Sequence, residues 1–219
     1  MNVVAVANQK GGVGKTTVTM QVGAALSRRF RVLVVDVDPQ QSTVWWAENA
    51  RGWLPFDFAG NQSPRMLARL RELGAEYDFV LVDTPGSLED TPILEAVLDA
   101  ADFVVLPLTP EPLAVDPTMR TITRLIDPRH LRHAVLLNRL DPRIPKQVDR
   151  WHEIVDTTFG VPRFDAHLRQ YKVHADAPVL GQLVTNAPDT QRTAGLIADV
   201  TRVAHELSDQ FIPAAMGRW

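Results

Sequence analysis

The chain has 219 residues, 45% apolar and 22% charged, which suits one α/β domain, spanning 1–219, with a sizeable core. A net charge of −3 argues against a uniformly basic polyanion binder, and the lack of cysteine removes disulfides and thiolate-bound iron–sulfur clusters. No apolar run approaches the ~18 residues of a membrane span, and Met1 leads almost directly into a strand-like run; neither a transmembrane helix nor a signal peptide is expected, and the expected location is cytoplasmic.

Strand-like runs fall at 3–7, 32–36, 79–83, 103–108 and 134–138, with shorter candidates near 56–58 and 163–165. Helix-like stretches fall at 15–29, 42–50, 64–74, 91–100, 117–126, 145–158 and 190–211. Apolar strands alternating with helices predict a mostly parallel, doubly wound sheet covered on both faces. Ligands of such sheets bind beyond the C-terminal ends of the strands. Asp116 before Pro117 reads as an N-cap followed by proline at the first helical position.

The first chemical signal lies between the first strand and the first helix, where residues 10–17 read Lys-Gly-Gly-Val-Gly-Lys-Thr-Thr. Gly11, Gly12 and Gly14 let backbone amides, with that of Val13, turn toward one anion, and the helix that follows adds its positive dipole end. In such a loop Lys15 reaches the β- and γ-phosphates and the Thr16 hydroxyl ligates Mg²⁺; Thr17 is the last of the nucleotide-binding residues of the loop. The usual first glycine of the pattern is replaced by Gln9, and Lys10 is a cation that an ordinary loop does not need.

Two acidic signals follow in the right order. Residues 32–40 read Val-Leu-Val-Val-Asp-Val-Asp-Pro-Gln, with Asp36 and Asp38 two apart and so pointing the same way from an extended chain. Two carboxylates share such a space cheaply only when a cation or a proton relay uses them. Residues 79–86 read Phe-Val-Leu-Val-Asp-Thr-Pro-Gly, in which Asp83 ends an apolar strand as a Walker B carboxylate does, holding Mg²⁺.

Together these segments resemble the deviant Walker A ATPases, and within them the small ParA/Soj-type partition ATPases; the resemblance runs from Val3 to about Leu207. It implies a P-loop ATPase with ATP and Mg²⁺ as cofactors. In the resembled proteins the signature lysine, here Lys10, reaches across an ATP-bound homodimer to the partner's phosphates, in the manner of an arginine finger supplied in trans. By the same resemblance Asp36 helps hold the Mg²⁺ shell, Asp38 positions or activates the attacking water, and Gly86 senses the γ-phosphate. Asn138, after the strand at 134–138, meets the adenine, and the proline-rich stretch 107–116 lies near the dimer interface. Hydrolysis is expected to be slow and stimulated by a partner.

Arginine and lysine gather locally despite the acidic total: eight of them against three acids lie between 119 and 151. A second set contains Arg163, Arg169, Lys172, Arg192 and Arg202. Such groups contact DNA phosphates without reading sequence. The resemblance implies a nonspecific DNA surface that includes Arg169, Lys172, Arg192 and Arg202, nucleoid association, and a cargo adaptor of ParB type. No helix-turn-helix extension is expected before the first strand.

Trp45 and Trp46 are read as core or interface packing residues in preference to a base-stacking platform, and the six histidines show no metal spacing. Two alternatives belong to other classes. A MinD-like membrane-bound positioning ATPase needs an amphipathic tail, and the last residues carry one cation with Pro213 and Gly217 as breakers. A metabolic ligase or amidotransferase needs a substrate-carboxylate site, for which no constellation is visible.

Overall fold

The structure, a computed structural model, describes residues 1–50, 52–60, 63, 70–86, 91–186 and 190–211. Six strands form one sheet: β1 (Asn2–Val6), β2 (Val32–Asp36), β3 (Asp57–Gly60), β4 (Phe79–Asp83), β5 (Phe103–Leu108) and β6 (His133–Leu137). Their order is β3-β2-β4-β1-β5-β6, and every pairing is parallel. The expected doubly wound sheet is therefore present. Five of the expected strands sit within one residue of their predicted bounds, and the short sixth runs at 57–60.

Among the described residues the helices are α1 (Lys15–Leu26), α2 (Ser42–Asn49), α3 (Thr91–Ala100), α4 (Pro112–Thr121), α5 (Gln147–Glu153), α6 (Lys172–Leu180) and α7 (Gln191–Asp209). α4 and α5 each continue into a π-helical turn, Ile122–Ile126 and Ile154–Phe159. A 3₁₀ turn covers Leu70–Ala75; residues 64–69 of the predicted 64–74 helix lie outside the described residues.

Strand side chains alternate between faces, so each strand feeds two cores. Val4, Val6, Val34, Leu81, Val105 and Leu136 pack with α1, α7, Trp46, Phe164 and Ala177 on one face. Val3, Ala5, Leu33, Val80, Val104 and Leu137 pack with Leu98 of α3, Ala114 of α4 and Trp151 of α5 on the other. Burial on both faces explains why the strands are apolar throughout rather than alternating.

Two expectations are corrected. Residues 163–165 form no strand: Arg163 makes a single parallel bridge to Val135, and Phe164 N–H donates to the Val135 carbonyl at 2.9 Å. Asp116 is not an N-cap. α4 begins at Pro112, with Glu111 extended before it, so Pro112 takes the first-turn position where a missing N–H costs nothing. Pro117 falls inside the helix, and Asp116 pairs instead with Arg120 one turn on, at 3.0 Å. One helix, α6, lies outside the helix-like stretches of the sequence; Pro178 within it masks a helical pattern.

Candidate nucleotide site

β1 lies at the middle of the sheet with β4 on one side and β5 on the other, and the chain crosses it in opposite directions before and after β4. That is the switch point where α/β sheets open a crevice. The loop 10–14 leaves β1 there. Gly12 and Gly14 hold φ of 78° and 90°, a region costly for side chains, and a Cβ on Gly14 would lie 2.4 Å from Asn138 Nδ2. Both reasons fix glycine at position 14.

Lys15 opens α1 and is only 7% exposed. Its ammonium makes one long bond, to the Lys10 carbonyl at 3.4 Å, and no ion pair among the described residues. Burial pulls its pKa down, while Asp83 and Asp38 pull the other way. A buried cation left this short of partners is matched by a polyphosphate. Gly86 closes the other side: a Cβ there would sit 2.8 Å from Lys15 Nζ and 3.5 Å from the Gly11 Cα. The cradle, about 660 Å³, is lined by Gly11, Gly12, Gly14, Lys15, Thr16, Thr17, Asp38, Trp45 and Gly86.

Asp36 and Asp83 are direct neighbours at the ends of β2 and β4. Asp83 is fully buried and accepts hydrogen bonds on Oδ2 from the Thr16 hydroxyl at 2.7 Å and from the Thr43 hydroxyl. Burial pushes its carboxyl up to about 7, against the pull of those two hydroxyls. A hydroxyl and a carboxylate this close, beside a phosphate cradle, are the oxygen donors that Mg²⁺ takes from a protein when phosphates supply the rest. The residues fit the group.

Asp36 is occupied differently. Its Oδ1 accepts the Asp38 N–H at 2.9 Å, and its Oδ2 accepts those of Thr43 and Val44 at 3.1 and 3.0 Å. It anchors the acidic loop and satisfies the open amides that begin α2. Burial raises its pKa even so. Asp38 is half-buried on the cradle wall and accepts the Gln40 N–H at 2.9 Å.

Lys10 sits at the loop entry, half-buried, with no ion pair for its ammonium among the described residues. Its backbone is held firmly. Asn8, fully buried, accepts the Lys10 N–H at 2.9 Å and donates to the Pro107 carbonyl at 2.9 Å and the Thr118 hydroxyl at 2.7 Å. The Gln9 N–H donates to Thr121 Oγ1 at 3.1 Å. The loop entry is thus pinned to α4. Sequence reasoning missed Asn8, although a lone amide side chain between a buried strand and the loop was the available signal. It also missed Thr43.

Asn138 lies at the cradle and is buried. Its Nδ2 donates to the Val13 carbonyl at 2.7 Å and its Oδ1 accepts the Arg139 N–H at 2.9 Å, which leaves one N–H and one lone pair. Beyond it opens a second cavity of about 730 Å³, lined by Thr17, Asn138, Arg139, Arg169, Tyr171, Lys172 and His174 among others. Both ring nitrogens of His174 are buried without a hydrogen-bond partner among the described residues, and burial lowers its pKa to about 4.

Of the expected DNA-contacting residues, Arg169 and Arg202 meet at one carboxylate, and Arg169 and Lys172 line this second cavity. Arg202 also lines a groove along α7 beside Arg28, Val184 and Thr185. Arg169 and Arg202 share the fully buried Asp199, at 2.8 and 2.6 Å, so part of their charge is already neutralised inside the chain. The side chain of Arg192 lies outside the described residues.

The comparisons agree with this geometry. Residues 4–208 match the model of the CobQ/CobB/MinD/ParA nucleotide binding domain. The chain is 43% identical to a maintenance of carboxysome distribution protein A from Gloeobacter kilaueensis, covering 94% of this chain and 93% of that one. It is 30% identical to a chromosome partitioning protein ParA from Caulobacter vibrioides, over 84% and 86% of the two chains. Among solved structures, the MinD cell division protein of Aquifex aeolicus superposes with a TM-score of 0.77 at 19% identity, over 97% and 99% of the two chains. With a family match over nearly its whole length and a phosphate cradle, carboxylate and hydroxyl in place, the chain belongs to the CobQ/CobB/MinD/ParA nucleotide-binding family and is an ATPase that works with ATP and Mg²⁺.

Proposed function

We propose that this ATPase is a dimerising switch that rides on nonspecific DNA and distributes a cargo, released and reset through an adaptor protein. The observation that carries this reading is the contrast between two lysines of one loop. Lys15 is buried at its own cradle, whereas Lys10 stands at the entry with a pinned backbone and an ammonium that has no ion pair among the described residues. The first serves the phosphates of its own site; the second is placed for a site opposite, on another copy.

Lys15, the amides of Gly11–Thr17 and Gly86 bind and orient the phosphates, and Asn138 offers its remaining N–H and lone pair to the adenine. Thr16 and Asp83 hold Mg²⁺, which when bound offsets phosphate charge, and Asp36 supports that shell by holding the acidic loop. Asp38 orients the attacking water toward the γ-phosphate. Closure by Lys10 excludes bulk water and makes the nucleotide part of the dimer interface, so hydrolysis weakens that interface. The name of the Gloeobacter relative supports a carboxysome as cargo, and that of the Caulobacter relative a chromosome. An adaptor of ParB type and a place on the nucleoid complete the reading. Arg169, Lys172, Arg192 and Arg202 remain the proposed DNA contacts, with Arg202 the most outward of the two arginines on Asp199.

The test is binding to random-sequence duplex DNA with ATP, with ADP and without nucleotide, each over a salt series. Binding only with ATP, and falling steeply as salt rises, is the expected result. No binding in any state, with ATP hydrolysis intact, overturns the DNA reading and turns the search to anionic liposomes.

A further inference from the structure

Thr43 is fully buried on the first turn of α2 and bonds two carboxylates on neighbouring strands. Its hydroxyl donates to Asp83 Oδ2, and its N–H donates to Asp36 Oδ2 at 3.1 Å. The same Asp83 oxygen takes the Thr16 hydroxyl at 2.7 Å. One oxygen of Asp83 is thus tied at once to the phosphate-loop helix and to α2. Two residues beyond Thr43, Trp45 is 48% exposed and lines the phosphate cradle, while Trp46 is buried in the core. On the other side of Thr43 lies the loop that carries Asp38.

A carboxylate that ends a strand has little freedom of its own, and a threonine hydroxyl has a single proton to give. Whatever displaces Asp83 or draws Thr16 away from it therefore acts on Thr43, and through it on the start of α2. We propose that Thr43 is a positioning residue that couples Asp83 to α2, so that loading of the phosphate cradle moves the Asp38 loop and Trp45 as one unit. This rests on the ATPase reading of the site. Thr43 does not line the phosphate cradle, so its part is positioning and not bond making.

Thr43→Val keeps the shape and removes the donor; Thr43→Ser keeps the donor and removes the methyl. The experiment follows tryptophan fluorescence on adding ATP with MgCl₂, with Trp45→Phe identifying the part of the signal that belongs to Trp45, alongside kcat, KM and the thermal midpoint. The expected result for Thr43→Val is a Trp45 signal reduced about fivefold and kcat reduced about tenfold with KM within about twofold, the pattern of an interaction lost beyond ground-state binding. Thr43→Ser is expected to restore signal and kcat. A folded Thr43→Val protein with wild-type signal and kcat overturns the proposal, as does a folded Thr43→Ser protein that has lost both. If the valine variant does not fold, Thr43→Ala replaces it with the same two outcomes. A wild type that hydrolyses ATP without any Trp45 signal also overturns the coupling, whereas a wild type that binds no ATP overturns the reading of the site beneath it.

Discussion

Lys15, Asp38 and Asp83 occupy one cradle yet differ in environment, and each difference sets a separate test. Lys15 is buried and short of partners, so Lys15→Ala removes the only ammonium that lines the cradle among the described residues and is expected to abolish ATP binding, read by calorimetry. Asp38 is half-buried on the wall, where Asp38→Ala is expected to leave ATP binding intact and stall turnover, accumulating an ATP-bound dimer in sedimentation. Normal turnover in that variant removes Asp38 from the reaction. Asp83 has a folded-state pKa raised to about 7, above the usual carboxylate value. Between the unfolded and folded values the native state holds the extra proton, so stability falls as pH rises through that window. In the absence of Mg²⁺ and nucleotide, Asp83→Asn is expected to match the wild type in thermal midpoint near pH 4 and to exceed it at pH 8. An unchanged difference across that range counts against the burial of this carboxylate.

Elements are positioned by buried polar side chains as much as by apolar faces. Asn8 ties the loop entry to β5 and α4 through three hydrogen bonds, and Asp36 ties the acidic loop to α2 through three more. Asp199 on α7 joins Arg169 and Arg202, and Arg169 also lies over the Tyr171 ring at 5.4 Å. Removing a buried carboxylate that two partly exposed arginines share loses charge-assisted hydrogen bonds, a change worth about 2 kcal/mol. Asp199→Ala is therefore expected to lower the unfolding free energy by about that amount in urea titrations. Arg169→Ala is expected to lower stability as well as any DNA affinity, whereas Arg202→Ala, more exposed, is expected to act on DNA affinity with less loss of stability. Equal stability losses in the two would argue against this division.

At the scale of the whole molecule the second copy is the open quantity. Lys10→Ala is expected to keep ATP binding and lose ATP-dependent dimerisation in sedimentation, since its ammonium serves no anion of its own chain among the described residues. The sheet, the phosphate loop and both acidic strand ends were legible because each rests on neighbours in sequence: buried strands read as apolar runs, and glycines, Lys15, Thr16, Asp36 and Asp83 stand at fixed offsets from them. The start of α4 was misread because Pro112 and Pro117 both fit a first turn locally, and only the packing of Ala114 and Thr118 against the sheet selects the earlier one. α6 escaped for a similar reason, its place being set by contacts with α2 such as Asn49 Nδ2 to the Pro178 carbonyl at 3.0 Å. The chain by itself determined which chemical groups reach the ends of the strands. Tertiary structure alone decided which of them share a proton donor or a counter-ion, because Thr43 with Asp83, Asn8 with Thr118, and Arg169 with Asp199 are each 30 or more residues apart and meet only once the sheet is closed by its helices.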